Sequence, residues 1–290
     1  MCSIRKITSI IFLKYLTCSK HSLNIEMPQV MGILNVTPDS FSDGGKFSRI
    51  DVALDQVEKM IFAGASIIDI GGESTRPGAQ DVSEKDELER VIPVLKAIKK
   101  RFDIIVSIDT SKAVVMSEAI THGAGIINDV RALQNNDCLH VLAQDQSVAI
   151  CLMHMKGLPR TMQHEPYYEN LISDICGFFE ARILTCKQAG INRSRLILDP
   201  GFGFGKSLEQ NYCLLANISK FHSLNLPLLA GLSRKSMIGN LLNREVTDRL
   251  AGSLATAMIA AQQGAKIIRV HDVKETVDTL KILQATIVNK

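Results

Sequence analysis

Tryptophan is absent from this chain, and aromatic residues make up only 5% of it. A core of this size must therefore be filled by Ile, Leu, Val, Ala and Met. No C-x-x-C pair occurs among the seven cysteines, at positions 2, 18, 138, 151, 176, 186 and 213. An odd, scattered set with no export signal reads as reduced thiols, not as a disulfide framework. Structural zinc is not expected either, because neither the cysteines nor His21, His122, His140, His164 and His222 show ligand spacing. Charge of one sign is lacking too: a formal net charge of +3 and no dense Lys/Arg run give no reason to expect nucleic acid as a partner. Nor is there a long hydrophobic run near the start. The apolar stretch from Ile10 to Leu13 is far short of the roughly 20 residues that cross a bilayer. No membrane partner is expected, and the cytoplasm is the expected location.

Between Met1 and Ile25 there are four basic residues, Arg5, Lys6, Lys14 and Lys20, and no acid. An organellar transit peptide shares that bias. The plainer reading is an N-terminal extension leading into a strand or hairpin that covers one end of a barrel.

From Gln29 onward a short apolar run alternates with a helical pattern. The runs are Val30–Leu34, Ser66–Ile70, Ile104–Ile108, Ala124–Ile127, Val148–Met153, Leu196–Leu198, Leu228–Ala230 and Ile267–Val270. Runs apolar on both faces suit parallel strands buried between a core and a ring of helices. Ser83 with Asp86 three residues on opens one helix, carried by Leu88, Val91, Ile92, Leu95 and Ile98, with Pro93 at a position that can kink it. Thr247 is expected to open another, with Leu250, Leu254, Ala257, Met258 and Ala261 inward. Asp272 opens the last, with Glu275 at the capping-box position and Val277, Leu280, Leu283 and Ile287 facing in. Eight repeats without a linker or composition shift indicate an α/β protein with a single (β/α)₈ TIM barrel; a doubly wound open sheet is the alternative. Residues 1–15 read as an atypical extension and 16–290 as the barrel.

In such a barrel the strand ends and the loops after them share one face. Asn35 ends the first run and leads into a polar, glycine-ended loop, Thr37 to Gly45. The second leads into GGESTRPGA with Thr75 and Arg76. Asp109 ends the third, Asn128 and Asp129 the fourth, Met153 and His154 the fifth, and Asp199 the sixth, in LDPGFGFGK. The seventh leads to Lys235 and Ser236 in GLSRKSMIG, and the eighth carries Arg269 and His271 in RVHDV. Taken singly, a strand-end acid caps a helix as readily as it serves chemistry, and His154 reads as structural or loop-exposed. The segment Pro200–Ser207 mimics a phosphate loop, but proline replaces its first glycine and it follows the sixth strand, so nucleotide binding there is rejected. Jointly, two carboxylates, an amide and a lysine suit a flat heterocycle rich in N–H donors and ring acceptors. Arg76, Arg269 and His271 supply positive charge for an anion such as pyrophosphate. Ser236, where a short helix would begin, could receive a carboxylate on backbone N–H groups.

LNVTPDSFSDGG, GESTRPG, Asp109, Asn128, LDPGFGFGK, GLSRKS and RVHD stand in the order and spacing of the dihydropteroate synthases, which the chain resembles from Leu16 to its C-terminus. The resemblance implies an enzyme that joins 6-hydroxymethyl-7,8-dihydropterin pyrophosphate to p-aminobenzoate. It implies that Asp109, Asn128, Asp199 and Lys235 hold the pterin, with Met153 and Phe204 lining its pocket. Asn35, Arg76, Arg269 and His271 would bind pyrophosphate, Asn35 together with Mg²⁺. Phe41, Thr75, Pro77 and Ser236 would shape the p-aminobenzoate site, where sulfonamides compete in this family. Asp43, on the first loop, would help organise that site and stabilise developing positive charge. A homodimer is implied as well. A barrel that transfers a methyl group from methyltetrahydrofolate, and a noncatalytic pterin-binding paralogue, are the rival readings. The first does not need GESTRPG together with SRKS, and the second would be favoured by loss of Asn35, Arg76, Lys235, Arg269 or His271, all of which are present.

Overall fold

The computed structural model describes residues 14–37, 46–74, 81–157 and 167–289. The chain begins with an antiparallel hairpin of β1 (Tyr15–Cys18) and β2 (His21–Asn24). Eight parallel strands follow: β3 (Gln29–Asn35), β4 (Ile67–Gly71), β5 (Ile105–Asp109), β6 (Ile126–Asp129), β7 (Ala149–Met153), β8 (Leu196–Asp199), β9 (Leu229–Ala230) and β10 (Ile267–Val270). Between and after them run α1 (Lys46–Phe62), α2 (Glu84–Arg101), α3 (Ala113–Thr121), α4 (Asn136–Gln144), α5 (Leu171–Gln188), α6 (Leu208–Ala216), α7 (Ser236–Leu242), α8 (Leu250–Gln262) and α9 (Val273–Val288). Strands β3 to β8 pair in sequence, and β10 joins β3 to β9. A parallel bridge between Leu198 and Leu228, with the Leu198 N–H donating to the Pro227 carbonyl at 2.9 Å, brings β8 against β9 and closes the ring. Sequential order with closure is a (β/α)₈ barrel, and the open-sheet alternative fails on it.

Each expected run is a strand, but several end one or two residues further toward the C-terminus, which draws Asn35, Asp109, Asn128 and Asp199 into the ladder. Alternate residues of a strand face opposite sides, so the strands feed two cores. The outer core packs Val30, Ile68, Val106, Ile127, Ile150 and Leu198 against the helices. The inner core holds Met31, Ile67, Ile105, Ile126, Ala149, Cys151, Ile197, Leu229 and Ile267, together with Leu16, Cys18, Leu23 and Ile25. The hairpin is thus a plug at the N-terminal end of the barrel, docked by the Ser19 N–H on the Ser147 carbonyl at 2.8 Å. The hairpin expected to cover one end of the barrel does so by filling its bore, while residues 1–13 of the extension lie outside the described residues.

Ser83 caps α2 as expected, accepting from the Asp86 N–H at 3.1 Å, and the helix runs unbroken through exposed Pro93. One helix start and one cap differ from the sequence reading. Thr247 lies in a 3₁₀ turn, Val246–Asp248, and α8 begins at Leu250, which is exposed. Asp272 stands at the N-cap of α9 without capping it, because its carboxylate is forked to the Arg234 guanidinium. Ile287, expected inward, is exposed at the end of that helix. The cysteines among the described residues, Cys18, Cys138, Cys151, Cys176, Cys186 and Cys213, are all free. Among the described residues no helix is long and apolar enough to cross a membrane.

The alternation in β1 gives a direct check on the plug. Leu16 is fully buried and Tyr15 is 55% exposed. Leu16→Ala is expected to lower unfolding free energy by about 2–5 kcal/mol in urea titration, whereas Tyr15→Ala should stay within about 0.5 kcal/mol of the parent.

Candidate functional site

The inward face of the barrel changes character along its axis. Above the apolar layer lie Asp69, Ser107, Asn128 and Arg269, and the strand ends carry Asn35, Asp109, Met153, Asp199 and, just past β10, His271. Parallel register sets these heights: Asn35 pairs with Gly71, Gly71 with Asp109, Asp109 with Asn128, and Met153 with Asp199.

The guanidinium of Arg269 organises the centre. Its Nε donates to Asp69 Oδ2 at 2.6 Å and its Nη2 to Asp109 Oδ2 at 2.9 Å. Asn128 Nδ2 donates to the same Asp69 oxygen at 3.4 Å. Burial opposes the charge on Arg269, but Asp69 and Asp109 outweigh it and hold the guanidinium protonated. Burial pushes Asp109 up to about 7; Arg269 pulls it back, while Asp69, Glu87 and Asp129 push the same way as burial.

On the opposite wall, Asp199 Oδ1 accepts from the Gly201 N–H at 2.8 Å. Its pKa is raised by burial, against the pull of Lys235. Burial lowers Lys235 to about 8, opposed by Asp199. The Lys235 ammonium donates to the Phe202 carbonyl and sits 4.5 Å from the centre of the Phe204 ring, a cation–π contact. Arg234, just before it, holds a left-handed φ of 57°. That conformation is braced by Ser253 Oγ on its N–H at 2.9 Å, by Arg249 on its carbonyl at 3.0 Å, and by Asp272 on its side chain.

The Pro200–Ser207 loop is bound from within. Lys206 is buried and donates to the Gly201 and Phe204 carbonyls at 2.8 and 3.1 Å and to His154 Nδ1 at 3.1 Å. Burial lowers Lys206 to about 7 and drives His154 to about 2, so the imidazole is a neutral acceptor. His154 is buried and structural, not loop-exposed. Gly201, at φ +72°, lies against the His154 carbonyl, where a Cβ has no room. Asp129 is structural as well, accepting from Ser111, from the Arg131 N–H at 2.8 Å and from the Leu133 N–H at 2.7 Å.

The structure therefore brings Asn35, Asp109, Asn128, Met153, Asp199, Phe204, Lys235, Arg269 and His271 to one mouth of the barrel. His271 Nδ1 lies 3.1 Å from Ser233 Oγ. Ser236 is exposed at the first turn of α7. Phe41, Asp43, Thr75, Arg76 and Pro77 lie outside the described residues. Three buried ionic groups around the site escaped the sequence reading. Asp69 was hidden in an apolar run, where a lone acid is itself a signal because a buried charge requires a partner. Lys206 was set aside with the rejected phosphate loop. Glu87, fully buried on α2, pairs with Lys112, which also binds Glu73 at the root of the second loop.

Residues 31–271 match the model of the pterin binding enzyme family. The dihydropteroate synthase of Haemophilus influenzae is 56% identical over 264 residues, 91% of this chain and 96% of the relative. That of Escherichia coli K12 is 55% identical over 266 residues, 92% and 94% of the two chains. The chain belongs to the dihydropteroate synthase family. A crystal structure of the Yersinia pestis dihydropteroate synthase with a sulfonamide drug complex superposes with a TM-score of 0.89 at 56% identity, covering 94% of this chain and 98% of that one. The Xanthomonas albilineans enzyme with 4-aminobenzoic acid gives 0.89 at 45% identity over the same shares.

Because the folded-state pKa of Asp109 is raised above the usual carboxylate value of 3.8 to about 7, the folded chain binds a proton there that the unfolded chain has lost. The stabilisation from that proton is complete below pH 4 and is lost as pH rises through 7. Asp109→Asn is expected to remove this contribution. Its unfolding free energy, measured from pH 4 to 7, should fall less steeply with pH than the parent's, or rise.

Proposed function

We propose that this chain is a dihydropteroate synthase, condensing 6-hydroxymethyl-7,8-dihydropterin pyrophosphate with p-aminobenzoate to give 7,8-dihydropteroate and pyrophosphate. The observation that carries the reading is the joint placement of Asp109, Asn128, Asp199, Lys235 and Arg269 at one barrel mouth, in a chain 55% identical to a named enzyme over 92% of its length. Residues 16–290 act as one catalytic unit in this reading.

A pterin ring offers an amino-pyrimidinone edge with N–H donors and a carbonyl. Asp199 and Asp109 accept from the donors, Asn128 supplies an amide, and Lys235 donates to ring acceptors, while Met153 and Phe204 provide apolar walls. Arg269 and His271, two residues apart on β10 and beyond, place cationic and donor groups toward the departing pyrophosphate, with Arg76 joining them. Phe41, Thr75, Pro77 and Ser236 shape the p-aminobenzoate site, and Asp43 stabilises positive charge on the reacting centre. The bond from the methylene carbon to the pyrophosphate oxygen breaks with its electron pair leaving on pyrophosphate. The electron-rich reduced ring delocalises the cation, and the arylamine lone pair forms the new C–N bond before its proton passes to water or pyrophosphate. A neutral arylamine needs no strong base, so the protein contributes orientation and electrostatic stabilisation.

The residues present also fit Mg²⁺. Asn35 offers one hard amide oxygen, standing 3.5 Å from where a Cβ on Gly71 would lie, so glycine there leaves room beside it. No group of three or more His, Cys, Asp or Glu that could cage a metal occurs among the described residues. A site of one protein oxygen, waters and substrate phosphates is the kind that Mg²⁺ takes. Bound there, the ion would neutralise charge on pyrophosphate oxygens.

A homodimer is part of the reading; exposed Leu241, Leu242, Val246 and Leu250 around α7 and the start of α8 support it. A cytoplasmic location is consistent with the free cysteines.

The test supplies both substrates and Mg²⁺ to the purified full-length chain and follows pyrophosphate and dihydropteroate together. Equimolar formation of both, requiring both substrates and blocked by a sulfonamide, is expected. Pterin binding without turnover by folded protein would instead make the chain a noncatalytic binding module. In the same assay Arg269→Ala should lower kcat by about 100- to 1,000-fold, as loss of a transition-state donor does. Asp199→Ala should mainly weaken pterin binding, by about 10- to 100-fold, the scale of a hydrogen bond to a charged group. Near-parental kinetics in both variants would contradict the assignment.

A further inference from the structure

We propose that Asp69, buried inside the barrel one layer below its mouth, is a positioning residue that fixes the orientation of both Arg269 and Asn128 beneath the pterin. The inference rests on the dihydropteroate synthase reading and goes beyond it by giving the reaction a residue that touches neither substrate.

Asp69 is fully buried on β4, and one of its oxygens, Oδ2, is shared by Arg269 Nε at 2.6 Å and Asn128 Nδ2 at 3.4 Å. Its Oδ1 is buried without a hydrogen-bond partner, and so is the hydroxyl of Ser107, its register partner on β5. An acid in this setting is poor material for stability alone. A desolvated carboxylate with an unsatisfied oxygen is costly, and well-packed apolar residues often replace buried ion pairs without loss. What the carboxylate does supply is geometry.

Arg269 is held at two points, Asp69 and Asp109, and these partners differ in kind. Asp109 stands at the strand end, where the pterin is placed. Asp69 lies deeper in the bore and exposes no surface to the mouth, whereas Arg269 exposes 21% of its side chain. When Asp109 turns its hydrogen-bonding capacity to the ring, Asp69 alone still anchors the planar guanidinium through Nε. The same oxygen settles the amide of Asn128. With Nδ2 committed to Asp69, the carbonyl oxygen is left to accept from a ring N–H, which selects for a donor at that point of the ligand. One carboxylate therefore sets both a cation and an acceptor.

Asp69→Asn tests this, because it preserves shape and removes the charge. The groups that bear on Asp109 are Arg269, Asp69, Glu87 and Asp129. Removing the Asp69 charge takes away a repulsion and leaves Arg269 to Asp109 alone, so Asp109 should ionise at lower pH. In steady-state assays, kcat/KM for the pterin pyrophosphate should fall by about 10- to 100-fold, the scale of misplaced binding groups. KM for p-aminobenzoate should stay within about twofold, and the acid limb of the pterin kcat/KM profile should move to lower pH. A merely structural role would weaken both substrates together and leave the limb in place, and either that result or parental kinetics would overturn the proposal. If Asp69→Asn does not fold, as judged by thermal melting, Asp69→Ser carries the same expectations with less crowding. Absent turnover in the parent would overturn the functional reading and this inference with it. Normal parental turnover beside an unaltered variant overturns the inference alone.

Discussion

A guanidinium held between two carboxylates inside a closed barrel is the constraint on which the rest of this structure depends. Half-buried Arg269 is held protonated by Asp69 and Asp109, which accept from its Nε and Nη2 at 2.6 and 2.9 Å. The barrel is apolar at its N-terminal end, where the hairpin plugs it, and ionic at the other. That gradient follows from the period of two along each strand. Met31, Ile33 and Asn35 on β3, or Ile105, Ser107 and Asp109 on β5, move from oil to water in two steps. The apolar floor keeps water from entering below, so the charges above it interact strongly.

The loops do the complementary work of keeping the outer members of the site in place. Lys206 and Asn211 tie the Pro200–Ser207 segment to itself, with the Gly203 N–H on Asn211 Oδ1 at 2.7 Å. The left-handed Arg234 turns the chain so that Lys235 reaches back over Phe204. In both cases unusual loop backbone is fixed by side chains, from within the loop and from α6 in the first and from Arg249 and Ser253 at the start of α8 in the second. The placement of Lys235 is thus a property of α8 and α9 as much as of its own loop.

Much of this was legible from residues alone. Parallel strands buried on both faces write their own signature, and the polar residues that terminate them fell on one face because a barrel has only one C-terminal end. The family resemblance then implied roles for those residues. What stayed hidden shares a physical cause. Asp69 sits within an apolar run, Glu87 within an amphipathic helix, and Lys206 in a glycine-rich loop, and each takes its meaning from partners 25 or more residues away in sequence or from backbone carbonyls. Local periodicity carries no information about such partners. The start of α8 moved because a 3₁₀ turn takes up Thr247, and the Asp272 cap of α9 went unused because a distant arginine binds its carboxylate.

In the proposed function the pterin lies directly above the Arg269 fork, against Asp109, Asn128, Asp199 and Lys235. A crystal structure of the full-length chain with 6-hydroxymethyl-7,8-dihydropterin bound would test it most directly. The expected result is a ring whose polar edge meets those four side chains, with Arg269 still bonded to Asp69 beneath it. A ring bound elsewhere on the barrel, or an Arg269 side chain swung out of the bore on binding, would contradict the account.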